Sequence, residues 1–79
     1  MSDNEVNARV LRLGAGIPGA IVVLAIIKRD HEDELEHVLE KLEQKHITGS
    51  EIWLIYKRLC QQDILRFINY DFHAHQFST

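Results

Sequence analysis

The chain reads as an all-α protein, a compact bundle of four to five short helices. Three observations predict this. Apolar residues recur at three- and four-residue spacing in successive segments, helix start and stop signals stand at the segment borders, and 46% of the 79 residues are hydrophobic, an ordinary proportion for a folded globule. At this length a single domain is expected, near the lower limit for an independent core. Residues 1–72 are read as that domain and 73–79, "HAHQFST", as a loose C-terminal tail without periodicity.

The first helix is expected over residues 4–13. Ser2 followed three residues later by Glu5 is a capping box, and Val6, Val10 and Leu13 then fall on one face with Arg9 and Arg12 on the other. Gly14 and Gly16 should end it. Pro18 suits the first turn of a second helix, where its missing N–H is no loss, and Lys28 and Arg29 complement the dipole at the far end of "GAIVVLAIIKR". The β-branched Val22, Val23, Ile26 and Ile27 make a strand the competing reading. A helix is preferred, and since it is apolar all round it belongs either at the centre of the core or in an oligomer interface.

Asp30 opens the third segment, with acids in its first turn and lysines in its last, as the helix dipole favours. Leu35, Val38, Leu39 and Leu42 form its apolar stripe. "ITGS" should end it, with Gly49 as the left-handed residue and Ser50 as the next N-cap, while Thr48 and Glu51 offer an overlapping box. Residues 51–72 form either one long helix or two. Trp53, Tyr56, Cys60, Ile64 and Phe67 lie on one continuous helical face, whereas Asp63 could cap a separate last helix. In the expected packing, residues 18–29 sit at the centre. Leu35, Val38, Leu39 and Leu42 lie on one side of them, with Trp53, Tyr56, Leu59, Ile64 and Phe67 on the other.

The net charge of −3 is mild but unevenly distributed. Residues 1–29 hold Arg9, Arg12, Lys28 and Arg29 against Asp3 and Glu5, residues 30–50 hold seven acids against Lys41 and Lys45, and residues 51–79 balance. There is no basic stripe of the kind that phosphate binding requires, which argues against nucleic acid. The single cysteine, Cys60, excludes an internal disulfide, fits a reducing cytoplasmic compartment and reads as a small core hydrophobe. The apolar run Ile17–Ile27 is shorter than the roughly 20 residues of a membrane span, and the acidic N-terminus is unlike a signal peptide.

Gly14, Gly16 and Gly19 in "LGAGIPGA" spell the G-x-G-x-x-G of a dinucleotide loop. That loop works only inside a βαβ unit, and the second strand is missing: its place is taken by "DELEHVLEKLEQ", the strongest helix in the chain. The glycines are therefore read as a hinge and as points of close helix approach, with no cofactor. His31, Asp33, Glu34 and His37 share one acidic helix, yet spacing fixes no third and fourth ligand, and no metal is expected. The carboxylates of residues 30–43 read as a solubilising face with some local pairing, Glu36 toward the neighbours of Lys41, and no catalytic arrangement is legible.

Residues 31–60 have the outline of a helix-turn-helix, with Lys57 and Arg58 on the second helix. Against DNA binding, that helix is mostly Ile52, Trp53, Leu54, Ile55 and Tyr56, and its partner helix is acidic. Aromatic and basic residues together mark interface hot spots. Trp53 and Phe67 are expected to serve the core, while Tyr70, Phe72 and Phe77 trail beyond the periodic segment and are read as docking residues with Lys57 and Arg58.

"GIPGAIVVL" and "ITGSEIWLIYKRLCQQDILRFI" together resemble small uncharacterised proteins of bacteria and their phages or prophages. The resemblance covers about residues 5–70 and implies a self-contained helical domain, with no activity and no catalytic residue to carry over. The sequence thus points to a non-enzymatic protein–protein interaction module, with a homodimer open. A helix-turn-helix DNA-binding regulator using residues 31–60 is the alternative.

Overall fold

The computed structural model describes residues 2–59 and 63–72. These form five helices, α1 (Asp3–Gly14), α2 (Pro18–Asp30), α3 (Glu32–Gln44), α4 (Ser50–Leu59) and α5 (Leu65–Ile68), with no strand among the described residues. The all-α bundle read from the sequence is the fold observed.

Ser2 starts α1 as its capping box predicts. Its backbone is extended and its Oγ accepts the Glu5 N–H at 3.2 Å. The last residue of the helix is Gly14, as expected, and its C-cap is Ala15. Ala15 is left-handed, with φ 49°, and donates its N–H to the Leu11 carbonyl at 3.1 Å. A side chain in that conformation costs about 1 kcal/mol, so the hinge is set by packing as well as by glycine.

Pro18 follows an extended Ile17 and begins α2, which is helix and not strand throughout. α2 packs against α1, α3 and α4 and is the centre of the bundle. Ala20, Val23, Leu24 and Ile27 on its inner face are at most 1% exposed. Burial at this level is worth roughly 1.5–3 kcal/mol for each large aliphatic side chain. Of the two places expected for a helix that is apolar all round, α2 takes the centre of the core, although one side stays open. Pro18, Val22, Ala25 and Arg29 form an outward stripe at helical spacing, and Val22 is 53% exposed.

Asp30 does not open α3 but closes α2, gripped by Arg29 through paired 2.7 Å hydrogen bonds. His31 caps both helices, and the predicted stripe of Leu35, Val38, Leu39 and Leu42 is fully inside. α3 ends in a Schellman motif. Ile47 N–H bonds the Leu42 carbonyl at 3.0 Å and His46 N–H bonds that of Glu43 at 3.2 Å. The left-handed residue is therefore His46, with φ 55°, rather than Gly49 alone, and Ile47 is buried beside Leu42 in the core cluster.

Ser50, expected as a cap, is the first residue of α4. The face of α4 that enters the core is Ile52 and Ile55, while Trp53, Tyr56 and Leu59 lie half-buried against it. The continuous face from Trp53 to Phe67 is not a single helix, because Asp63 and Ile64 stand outside both α4 and α5. The separate last helix is the reading that holds, but its N-cap is Ile64; Asp63, one residue earlier, accepts the Leu65 N–H on Oδ1 at 2.9 Å. Cys60, Phe77 and the 73–79 tail lie outside the described residues.

Candidate interaction surface

The site is built from the hinge outward. Gly49 adopts φ 53° and donates its N–H to the Leu13 carbonyl at 2.7 Å, which ties the start of α4 to the end of α1. A Cβ on Gly49 would lie 3.3 Å from Ile17 and 3.4 Å from Ala15, so the two turns are in contact. α4 leaves this point alongside α2, and its first aromatic side chain, Trp53, comes down on Gly19. A Cβ there would sit 2.7 Å from Trp53 Cδ2. Gly14 has the matching role in α1, its missing side chain occupied by Ile21 of α2. The three glycines of the fingerprint thus serve as two close-approach points and, at Gly16 with φ 76°, a turn.

From Trp53 a run of rings passes into the core. Trp53 stacks on Tyr56 at 5.7 Å, Tyr56 meets Phe67 edge-on at 6.2 Å, Phe67 meets Phe72 at 5.5 Å, and Phe72 meets Tyr70 at 5.1 Å. Every aromatic among the described residues belongs to this run. Its inner end is closed by Lys41 of α3, whose Nζ donates to the carbonyls of Ile68 at 2.6 Å and Tyr70 at 3.1 Å and lies 5.3 Å from the Phe72 ring centre. Burial lowers the Lys41 pKa from its usual value, against the pull of Asp71 and Glu34.

Of the five predicted docking residues, the four that are described therefore separate. Phe72 is 1% exposed and belongs to the core, so its reading as a surface contact is corrected: chain that trails beyond α5 folds back under Lys41. Tyr70 is half-buried beside it. Lys57 and Arg58 are exposed on α4, and Lys57 Nζ stands 5.6 Å from the Trp53 ring centre. Helical spacing sets Trp53, Lys57, Leu54 and Arg58 in order around the outer arc of α4, and Leu54 is 42% exposed. Across the seam, Val22 and half-buried Ile26 stand one and two turns beyond Gly19 on the side of α2 turned toward α4. Sequence reasoning missed Val22, Ile26 and Leu54 as surface residues. For Val22 and Ile26 the one hint is that α2 is apolar all round, more than its core-facing side can use, whereas Leu54 on α4 carries no such signal.

A second feature lies where the start of α1 meets α3. Arg9 forks onto both carboxylates facing it, with Nε and Nη2 on Glu43 at 2.9 and 2.6 Å and Nη1 on Glu36 at 2.8 and 2.9 Å. This pair of acids raises the Arg9 pKa, and the guanidinium in turn holds the Glu43 carboxyl below its ordinary value. Glu36 thus pairs with α1 and not with the neighbours of Lys41. Beside the clamp is a shallow cleft of about 220 Å³ floored by Val6, Leu35 and Leu39, with Asp3, Lys28, Glu32 and Glu36 on its rim. Two of these rim groups are already engaged, Glu36 with Arg9 and Lys28 with Asn7 at 2.9 Å. Among the described residues no three His, Cys, Asp or Glu side chains are grouped to hold a metal ion, and no helix is long and apolar enough to cross a membrane.

No protein-family model matches the chain, and neither a curated protein nor a solved structure is significantly similar to it.

Proposed function

We propose that this protein is a small, non-catalytic helical module that binds another protein through the α2–α4 face. The observation that carries this reading is the apolar strip of exposed Val22 with half-buried Ile26 and Trp53, edged by Lys57, with exposed Leu54 and then Arg58 beyond it on α4. Lone surface hydrophobes are ordinary, whereas several contiguous ones around a tryptophan form the centre of a binding patch. DNA recognition by α4 is disfavoured by the same geometry. The N-terminal end of α4, which would enter the groove in a helix-turn-helix, is tied beneath the α1–α2 hinge through Gly49.

Site-specific photo-cross-linking in the host cell tests the reading. A photoreactive residue at position 22 or 54 should yield a discrete protein adduct, and one at Asp33 or Glu40 on the exposed polar face of α3 should yield none. Adducts from α3 and none from positions 22 and 54 would overturn it.

A further inference from the structure

The α2–α4 face also specifies what it would bind, and this step rests on the interaction reading above. We infer that the occupant is an acidic amphipathic helix of another protein, its apolar residues on Trp53, Val22 and Leu54 and its carboxylates against Lys57 and Arg58. Three features lead there. The two exposed charged groups of α4, Lys57 and Arg58, are cations, and neither makes an ion pair with an acid among the described residues, while the one acid of this helix, Glu51, is half-buried one turn before Leu54. Lys57 is held over the Trp53 ring, so its charge is placed at the edge of the apolar centre instead of roaming in solvent. The seam between the two helices offers an apolar strip about two turns long, from Gly19 to Ile26, the dimension on which a helix presents anchors at i, i+3 and i+7.

A second copy of this chain is a poor occupant. Its acidic helix, α3, shows Asp33, His37, Glu40 and Gln44 outward, all polar, and keeps every leucine and valine for its own core. It has charge to offer and no anchor. A folded partner with acid on one face and apolar residues on the other meets both halves of the surface. Charge of this kind acts mainly on selection and on association rate.

Trp53 is the only tryptophan in the chain, so its emission reports on the face directly. The full chain is titrated, at low and at high salt, with two synthetic helical peptides that share one Leu/Phe face and carry either Glu or Lys on the other. The Glu peptide should shift Trp53 emission and bind about tenfold more tightly than the Lys peptide, with the advantage shrinking as salt rises. The double variant Lys57→Glu, Arg58→Glu should reverse the preference. Both side chains are exposed, and far-ultraviolet circular dichroism verifies that the fold persists; if charge reversal unfolds it, Lys57→Gln, Arg58→Gln should abolish the preference instead. Equal response to both peptides would overturn the acidic partner and leave the interaction reading standing. No change of Trp53 emission with either peptide would overturn both. Stronger quenching by oligothymidine than by either peptide would assign the face to single-stranded nucleic acid and overturn the inference.

Discussion

Two of the seams in this bundle are closed by opposite means. Between α1 and α3 the contact is made by added chemistry, an arginine forked onto two carboxylates. Between α2 and α4 it is made by subtraction, a glycine whose missing side chain is the seat of a tryptophan. The first is electrostatic and tolerant of shape. The second is steric, indifferent to salt and intolerant of a single carbon atom. The difference bears on function, because the steric seam positions Trp53 at the surface and so defines the face proposed to bind a partner.

The steric seam is the easier one to break. Gly19→Val should lower stability by about 2 kcal/mol, a fall of roughly 10 °C in Tm for a domain of this size, because the rigid indole has to leave its seat. Thermal melts followed by Trp53 emission would show both the lower Tm and a native-state spectrum shifted to the red. Gly14→Ala should follow the same logic with a similar loss, because Cγ1 of Ile21, a β-branched side chain stiff at χ1, stands where the new Cβ would go, and alanine's preference for helix offsets only about 1 kcal/mol of it.

The ionic seam should yield less. Arg9→Met should cost about 1 kcal/mol at neutral pH and low salt, because Glu36 and Glu43 are 43% and 32% exposed and water screens much of their attraction. Denaturant titrations with and without 1 M NaCl should show that loss shrinking in high salt, while the Gly19→Val loss stays constant. The clamp also fixes the acid response. The Glu43 pKa is depressed in the folded chain below its ordinary 4.5, so its contribution is fully present above that value and is lost as pH falls through the folded pKa. Glu43→Gln should flatten the fall of stability below about pH 4.5, and an unchanged acid limb would show that the pair adds nothing in solution.

The smallest effect belongs to the turn that feeds the steric seam. His46 holds a left-handed φ of 55° at the end of α3, where glycine is the preferred residue. His46→Gly should leave the fold unchanged and add about 0.5 kcal/mol, the relief of local strain outweighing the extra freedom of the unfolded chain. Differential scanning calorimetry reads that shift.

The contrast between the seams also explains what was legible in the sequence. The helices were, because capping residues, Pro18 and the leucine stripe of α3 act locally and carry a period. The hinge was, because a dinucleotide loop needs a second strand where the sequence reads as the strongest helix, and no strand stands among the described residues. The Arg9 clamp was half visible, as an excess of positive charge before residue 30 and of negative charge after it, although nothing in the order of residues names Glu36 and Glu43 as the partners. The seat of Trp53 on Gly19 left no mark, since a glycine that receives a side chain and a glycine that turns the chain are the same letter. Phe72 was misplaced because no helical period extends to it. It is brought inside by Lys41 from a distant helix, a contact that only tertiary structure creates. Lys57 and Arg58 could be found from composition, whereas Val22 and Leu54 needed the knowledge of which side of each helix remains open.

The account rests on α2 being enclosed on its inner side by its own chain, which leaves the α2–α4 face for a different protein. Sedimentation equilibrium of the reduced protein over a range of micromolar concentrations tests this most directly. A single species of 9.2 kDa at every concentration is the predicted result. A stable species of twice that mass would contradict it, because a second copy would then already cover the surface assigned to the partner.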